Sequence, residues 1–254
     1  MVKIIMHGHQ GRMGRVICEL CDTNDRCEIV AGIDPMPNTL SVPFPTYSTI
    51  DDCDMPAHVI IDFSTAAAVP NLLNYAKEKK IPVVLCTTGL SDATLALIEE
   101  TAKHIAIFKS SNMSLGINLI SNLLKKTSQL LLDSGYDIEI IEKHHNRKID
   151  APSGTALFLA DTIQSSVKED LSYTYDRSLT RGKRKKHELG IHAVRGGTIV
   201  GEHTVLFAGR DENIELSHSA LSKEVFAVGA LKAAQFLAEK AHGLYDMQNL
   251  MDEL

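Results

Sequence analysis

Apolar residues along the first 112 positions fall into two alternating rhythms. Short unbroken runs such as Ile4-Ile5-Met6, Val59-Ile60-Ile61, Val83-Val84-Leu85 and Ala106-Ile107-Phe108 are separated by longer amphipathic stretches. Runs this short read as strands buried on both faces, and the longer stretches as helices. The pattern predicts strands at residues 3–7, 28–33, 58–62, 83–86 and 106–109, with helices at 12–23, 69–79 and 92–103. Such alternation implies a parallel sheet with right-handed crossovers. The connection from Asp34 to Pro56 holds five of the eight prolines and reads as loop with one short strand.

After Asn112 the rhythm changes. A helix is expected at 115–134, a strand with period-two alternation at 137–143, and a helix at 155–167. From Ile191 the chain turns strand-rich, with segments at 191–195, 198–207 and 213–220. Gly196-Gly197 reads as a hairpin signal, and Gly209 to Glu212 as another turn. An Ala-rich helix is expected over 223–241. The reading is an α/β chain: a Rossmann-type parallel-sheet domain of the dinucleotide-binding kind (residues 1–114 and 222–254) and an α+β domain (115–221) with a mixed or antiparallel sheet. Hinges are expected near Ser114 and Ser222, with closure on binding both ligands.

Composition narrows the function class. At 254 residues the chain can bury a large core, and its 44% hydrophobic and 23% charged content is ordinary for a globular protein. A net charge of -6 argues against general nucleic-acid binding. The exception is the basic run from Arg177 to His187, which reads as a solvated loop able to attract anions. No signal peptide is expected before the strand-like Ile4-Ile5-Met6, and no apolar run approaches the length of a membrane span. The five cysteines (18, 21, 27, 53 and 86) lack zinc spacing and read as reduced thiols in a cytoplasmic protein.

Two stretches carry candidate chemistry. The first is Gly8-His9-Gln10-Gly11-Arg12-Met13-Gly14, between the first strand and first helix. Its G-x-x-G-x-x-G spacing is a variant of the dinucleotide fingerprint, with glycines for the turn, the close approach of a pyrophosphate, and helix packing. Asp34 ends the second strand about 20 residues on, where an acid would bind ribose hydroxyls. Pro35 follows rather than a cation, so NADH is favoured, although Arg12 could reach a 2′-phosphate and NADPH stays open. Cys86-Thr87-Thr88 and Ser110-Ser111-Asn112-Met113 sit at carboxyl ends of parallel strands, where ligands of open sheets bind.

The second stretch runs from Asp137 to Ala156. His144, His145, Arg147 and Lys148 lie between a strand and a helix entry at Pro152-Ser153-Gly154-Thr155. Small residues at a helix N-terminus favour an anion, and imidazole and amine beside it suggest proton donation to a bound carboxylate.

Taken together, Gly8-x-x-Gly-Arg-Met-Gly14, Thr87-Thr88-Gly89, Ser111-Asn112-Met113-Ser114-x-Gly116-x-Asn118 and Glu142-x-His-His-x-x-Lys-x-Asp-x-Pro-Ser-Gly-Thr-Ala156 resemble the 4-hydroxy-tetrahydrodipicolinate reductase (dihydrodipicolinate reductase) family. The segments Arg195-Gly-Gly-x-x-x-Gly-Glu-His203, Glu215-Leu-x-His218 and Gly243-Leu-Tyr-Asp-Met247 extend the resemblance over essentially the whole chain. It implies an oxidoreductase of lysine and diaminopimelate biosynthesis that reduces a heterocyclic dicarboxylate with NADH or NADPH. It also implies that 115–221 is the substrate-binding and oligomerisation domain, with a homotetramer built through the substrate-domain sheet, no membrane or nucleic-acid partner and no metal. By motif position His144 and Lys148 are the proton-donating pair, while His145, Gly154 and Thr155 hold substrate. The cofactor would touch Gly8, His9, Gln10, Gly11, Arg12, Met13, Asp34, Cys86, Thr87, Thr88, Ser110, Ser111, Asn112 and Met113. Cys86 and Ser110-Ser111 depart from the smaller residues common there. Lys148 could donate a proton or act only as a fixed charge, and Arg181 or Lys183 could help clamp a carboxylate.

Three other readings share parts of this pattern. A homoserine- or aspartate-dehydrogenase-like reductase has the glycine loop without the His-His-x-x-Lys block. A dinucleotide-binding redox sensor would need no proton donor. A metal hydrolase using His144, His145 and His203 lacks a ligand spacing.

Overall fold

The computed structural model describes residues 1–36, 41–178 and 181–253; parts of the proline-rich loop and of the basic run therefore lie outside the described residues. In chain order the elements are β1 (Val2–His7), α1 (Arg12–Asp22), β2 (Cys27–Ile33), β3 (Thr46–Tyr47), β4 (Val59–Asp62), α2 (Val69–Lys79), β5 (Val83–Leu85), α3 (Asp92–Ala102) and β6 (Ala106–Lys109). There follow α4 (Leu115–Asp133), β7 (Asp137–His144), α5 (Gly154–Ser166), β8 (Ser172–Thr174), β9 (Glu188–Arg195), β10 (Gly201–Ala208), β11 (Asn213–Ala220), α6 (Glu224–Leu237), β12 (Gly243–Tyr245) and α7 (Met247–Met251). Two compact units result, Met1–Ser114 with Glu224–Leu254, and Leu115–Lys223.

The first unit is built on a seven-stranded sheet in the order β12-β6-β5-β4-β1-β2-β3, parallel at every pairing. Its central strands are apolar on both faces, as helices on either side require: Ile4, Ile5, Met6, Val59, Ile60 and Ile61 are all fully buried. Strand order reverses at β1, flanked by β2 and β4, which opens a crevice at the carboxyl ends of those strands. The last stretch of chain adds β12 beside β6, so the sheet has one strand more than the rhythm of the sequence predicts. The expected helix over 223–241 stops at Leu237 for the same reason, since the chain must turn back to reach that edge.

The second unit carries a mixed sheet, β11-β10-β7-β9-β8. One face packs on α4 and α5 through Ile138, Ile140, Leu189, Ile191, Val205 and Phe207. The hairpin expected at Gly196-Gly197 does not form. β9 runs parallel to β7, and β10 pairs antiparallel with the other edge of β7, so these glycines begin a crossing connection. They close on the His144 loop instead: the Gly196 amide donates to the His144 carbonyl (2.9 Å), and the Gly197 carbonyl accepts from the Asn146 amide (3.2 Å). The expected turn at 209–212 is present and joins β10 to β11, with the Gly209 amide donating to the Glu212 carbonyl (2.9 Å).

The basic run is explained by the same sheet. Arg184 binds Asp137 (2.7 Å) and Glu139 (3.0 Å), and Arg177 binds Glu139 (2.8 Å) and Glu188 (3.2 Å), so two of its cations hold the loop to the strands. Arg181 and Lys183 are exposed.

Gly229 shows how closely the returning helix packs in the first unit. A Cβ there would lie 1.7 Å from the Met113 carbonyl oxygen, a rigid backbone atom. Gly229→Ala should therefore lower stability by about 1–3 kcal/mol, seen as a lower urea midpoint with an unchanged slope.

Candidate active site

Within the first unit, β1 delivers the chain into the glycine loop. Gly8 sits at φ +86°, and a Cβ on it would lie 2.6 Å from the Phe63 carbonyl oxygen, so only glycine fits this turn. Gly14 packs against the Gly8 carbonyl, where a Cβ would come to 2.2 Å. Helix α1 starts after Gly11 with no side-chain cap and no acid in its first turn, which leaves its dipole and amides suited to an anion. Asp34 stands at the end of β2. Its Oδ2 accepts from the Gln10 amide (3.2 Å) and its Oδ1 from the Met36 amide (3.0 Å), so the acid also shapes the loop.

The other expected cofactor residues divide into two groups. Cys86, Thr87, Thr88, Ser110 and Ser111 line one cleft of about 290 Å³ at the ends of β5 and β6. The buried Thr87 Oγ1 has no partner among the described residues, a hydroxyl suited to a ligand. Burial, reinforced by Asp62, pushes the Cys86 thiol well up, so it stays neutral. By contrast, Asn112 and Met113 are buried in the fold, and Asn112 Oδ1 accepts from the Ser114 amide (2.8 Å). His9 is likewise 3% exposed, its ring against Gly32 and edge-on to Phe44, so its side chain faces inward. Arg12 is exposed at the start of α1, and Met13 is half-buried.

The second unit gathers its chemistry around one carboxylate. Strand β7 points Ile138, Ile140, Glu142 and His144 to its buried side. Glu142 is 0% exposed and accepts four bonds: Arg195 Nη1 and Nη2 (2.7 Å each), the Ser153 amide (2.9 Å) and His144 Nδ1 (2.6 Å). Burial alone would raise its pKa, but Arg195, His144 and the Ser153 amide outweigh that and hold it below the usual range. An ionised carboxylate only accepts, so His144 Nδ1 is the donor in this bond. Nε2 lies beside Gly201, where a Cβ would approach to 3.0 Å.

Arg195 also donates to the Asp150 carbonyl (2.6 Å), tying the loop after His144 to β9. Lys148 pairs with Asp150 at 2.9 Å, and this bond holds the Asp150 pKa down. The half-buried His145 has its pKa lowered by desolvation and then by Arg147 and Lys223. Ser153 caps α5, its Oγ accepting from the Ala156 amide (3.1 Å) and meeting His203 Nε2 at 2.9 Å. A Cβ on Gly154 would meet nothing within 4 Å, so the helix entry is open on that side. The structure thus brings His144, His145, Lys148 and Gly154 onto one loop and helix entry.

Glu142, Arg195 and His203 carry this network; the sequence places all three in the motifs of the resemblance, but names none of them as catalytic or substrate-binding, and weighs His203 only as a ligand of a metal hydrolase. The signal for Glu142 was the alternation itself: if Ile138 and Ile140 face the core, so does Glu142, and a buried carboxylate needs partners. The segment from Arg195 to His203 is marked as a motif, but its partner is not: both residues reach Glu142 through the register of β7 with β9 and β10. Among the described residues no group of three or more His, Cys, Asp or Glu could hold a metal ion, and no helix is long and apolar enough to cross a membrane.

Comparisons with known proteins agree in placing the chain. The family model described as "Dihydrodipicolinate reductase, N-terminus" matches residues 2–113, and "Dihydrodipicolinate reductase, C-terminus" matches residues 116–251. A protein from Caldanaerobacter subterraneus subsp. tengcongensis named 4-hydroxy-tetrahydrodipicolinate reductase is 52% identical over 251 residues, covering 99% of this chain and 98% of its own. One of the same name from Clostridium novyi is 51% identical with the same coverage. The dipicolinate-bound dihydrodipicolinate reductase from Paenisporosarcina sp. TG-14 superposes with a TM-score of 0.80 at 23% identity, covering 98% of this chain and 99% of that one, and shares the fold.

His203 gives the site a signature in acid. Burial, aided by the neighbouring His144, lowers its pKa from 6.5 to about 4. The unfolded chain binds a proton near pH 6.5 that the folded chain refuses until about 4. Its contribution is therefore complete above that upper value and is lost as pH falls toward the lower one, by at most about 3 kcal/mol. Urea melts across this range should show His203→Gln losing less stability than wild type.

Proposed function

The chain belongs to the dihydrodipicolinate reductase family, and from that premise we propose how its own residues carry the reaction. It is an oxidoreductase of lysine and diaminopimelate biosynthesis. It converts 4-hydroxy-tetrahydrodipicolinate, through the dehydrated form, to tetrahydrodipicolinate with a pyridine nucleotide as reductant. The nucleotide supplies a hydride, two electrons with one proton. Reduction of the conjugated imine then needs one further proton from the protein.

His144 gives that proton from Nε2. Glu142 fixes the tautomer from below, and Arg195 keeps that carboxylate ionised and in place. The 2.6 Å Glu142–His144 bond is the observation that carries this reading. Lys148 opposes the negative charge that builds on the substrate, or donates a proton itself, after exchanging Asp150 for a substrate carboxylate. His145, Gly154 and Thr155 take the substrate carboxylates at the entry of α5. The fixed cations around His145 favour an anionic ligand and disfavour charge on its ring.

The dinucleotide rests on the backbone from Gly8 to Met13, with the ribose hydroxyls at Asp34 and the Thr87-Thr88 and Ser110-Ser111 ends lining the cleft. Asn112, Met113 and His9 contribute backbone rather than side chain. A carboxylate at Asp34 repels a 2′-phosphate, so NADH is the better reductant, and exposed Arg12 lets NADPH serve as well. The five cysteines are all free thiols, in keeping with a reducing cytoplasm.

Assays following nicotinamide absorbance, with substrate made in situ by a coupled synthase, test this. Wild type should show a higher kcat/KM with NADH than with NADPH. His144→Ala and Lys148→Ala should each lower kcat by about a hundredfold or more while dinucleotide still binds. Turnover unchanged in both variants would remove them from the mechanism; dinucleotide binding with no substrate-dependent turnover in wild type would favour a sensor.

The outer face of the second sheet, beyond the part where Arg177 and Arg184 hold Glu139, supports the tetramer. Ile141, Val194 and Leu206 lie among charged neighbours on the side away from α4 and α5, and Val194 is 46% exposed. Light scattering should give four times the 27.8 kDa chain mass, and Val194→Asp should shift it to smaller species. A monomeric wild type would refute the assembly.

A further inference from the structure

The first unit holds a second buried histidine–carboxyl pair that the reaction does not use. His7 and Asp62 are the last residues of β1 and β4, paired in register, and are 6% and 0% exposed. His7 Nδ1 and Asp62 Oδ1 are 2.7 Å apart. Apart from the exposed Lys3 the rest of both strands is apolar, so two aliphatic side chains would suit this place at least as well. Asp62 Oδ1 also accepts from the Ser64 amide (3.2 Å), but its Oδ2 has no partner among the described residues. Its neighbour Cys86 is a neutral thiol that offers no countercharge. A buried carboxylate with one oxygen unmatched is poor stabilisation, and buried pairs of this sort are often replaceable by apolar residues without loss.

What the pair does have is position. One residue beyond it the two strands separate into the two loops that meet at Gly8. The Phe63 amide donates to the His7 carbonyl (3.0 Å), the last rung between the strands, while the Gly8 amide turns to the Ile33 carbonyl (2.8 Å). The Gly8 Cα then lies against the Phe63 carbonyl so closely that no Cβ fits. The side-chain bond sits beneath this contact and fixes the spacing between the strand ends from which the glycine loop departs.

We propose that His7 and Asp62 are positioning residues for the dinucleotide: their bond sets the glycine loop in its binding conformation and adds little to stability. This rests on the reading of that loop as the dinucleotide site. The test is the double variant His7→Leu/Asp62→Leu, compared with Asp62→Asn, which keeps an acceptor for His7 and Ser64. Unfolding midpoints, NADH affinity by fluorescence titration, and both KM values would be measured. The double variant should match or exceed wild type in stability yet bind NADH about tenfold more weakly. Its KM for NADH should rise while the dicarboxylate KM stays put, and Asp62→Asn should fall between. Should the double variant fail to fold, Asp62→Asn decides through the same KM split. Unaltered NADH binding in a folded variant, or a loss of stability with no change in affinity, overturns the proposal. Failure of the wild type to bind NADH at all would instead overturn the reading of the loop.

Discussion

Four bonds to the carboxylate of Glu142 hold the candidate site of the second unit together. They come from three separate stretches of chain: His144 at the end of the same strand, Ser153 at the entry of α5, and Arg195 at the end of β9. An ionised group in an apolar strand face is tolerable only when it is fully bonded, and here the bonds are short and charge-assisted. Removing any one would leave the others around an under-satisfied buried charge. The loop of residues 145–152, with no regular structure of its own, is held at both ends by this centre. Arg195 adds the Asp150 carbonyl and the Gly196 amide adds the His144 carbonyl. His144 and the entry of α5 are therefore fixed by the same group.

The two units solve a similar problem in different ways. Each must present loops at strand ends without letting them wander. The parallel sheet does so with glycines that permit backbone to lie on backbone, at Gly8 against Phe63 and Gly14 against Gly8. Acids tie the loops down: Asp34 binds two amides of the surrounding turn. The mixed sheet uses side chains, with Glu142 under the active loop and Glu139 and Glu188 holding the arginines of the basic run. Much of the charge on this protein is structural in that sense.

That use of charge explains what the sequence revealed and what it concealed. The parallel unit was legible because its strands are unbroken apolar runs and its glycines stand at fixed spacing, both local signals. The candidate loop at His144 was legible for the same reason, since His, His and Lys are contiguous with a helix entry. The Gly196-Gly197 hairpin misled because a glycine pair reports only a turn, whereas pairing is decided across the sheet, and β7 takes the place between β9 and β10. β12 escaped because three residues carry too little pattern to announce a strand; it exists by pairing with β6. Arg195 and His203 were visible as the ends of a motif, but what they do was not, because their contacts come from non-local register. The inward face of β7 was readable, but the chemistry of Glu142 depends on partners up to 53 residues away.

The two facing imidazoles show how this arrangement divides labour between identical side chains. The rings of His144 and His203 lie 5.1 Å apart, edge to face, and both are buried. Two positive charges at that spacing inside a protein would repel strongly, and His144 is accordingly one of the causes that lower the pKa of His203. The asymmetry comes from their partners. His144 has the carboxylate of Glu142, whereas His203 has only the hydroxyl of Ser153, and its Nδ1 has no partner among the described residues. His203 is thereby kept neutral, its pKa lowered to about 4 by burial and by His144. It serves as a packed, polar wall that shapes the helix cap through Ser153. The ring proposed as proton donor is the one whose Nδ1 is held by a carboxylate, and that bond fixes the direction in which its other nitrogen points.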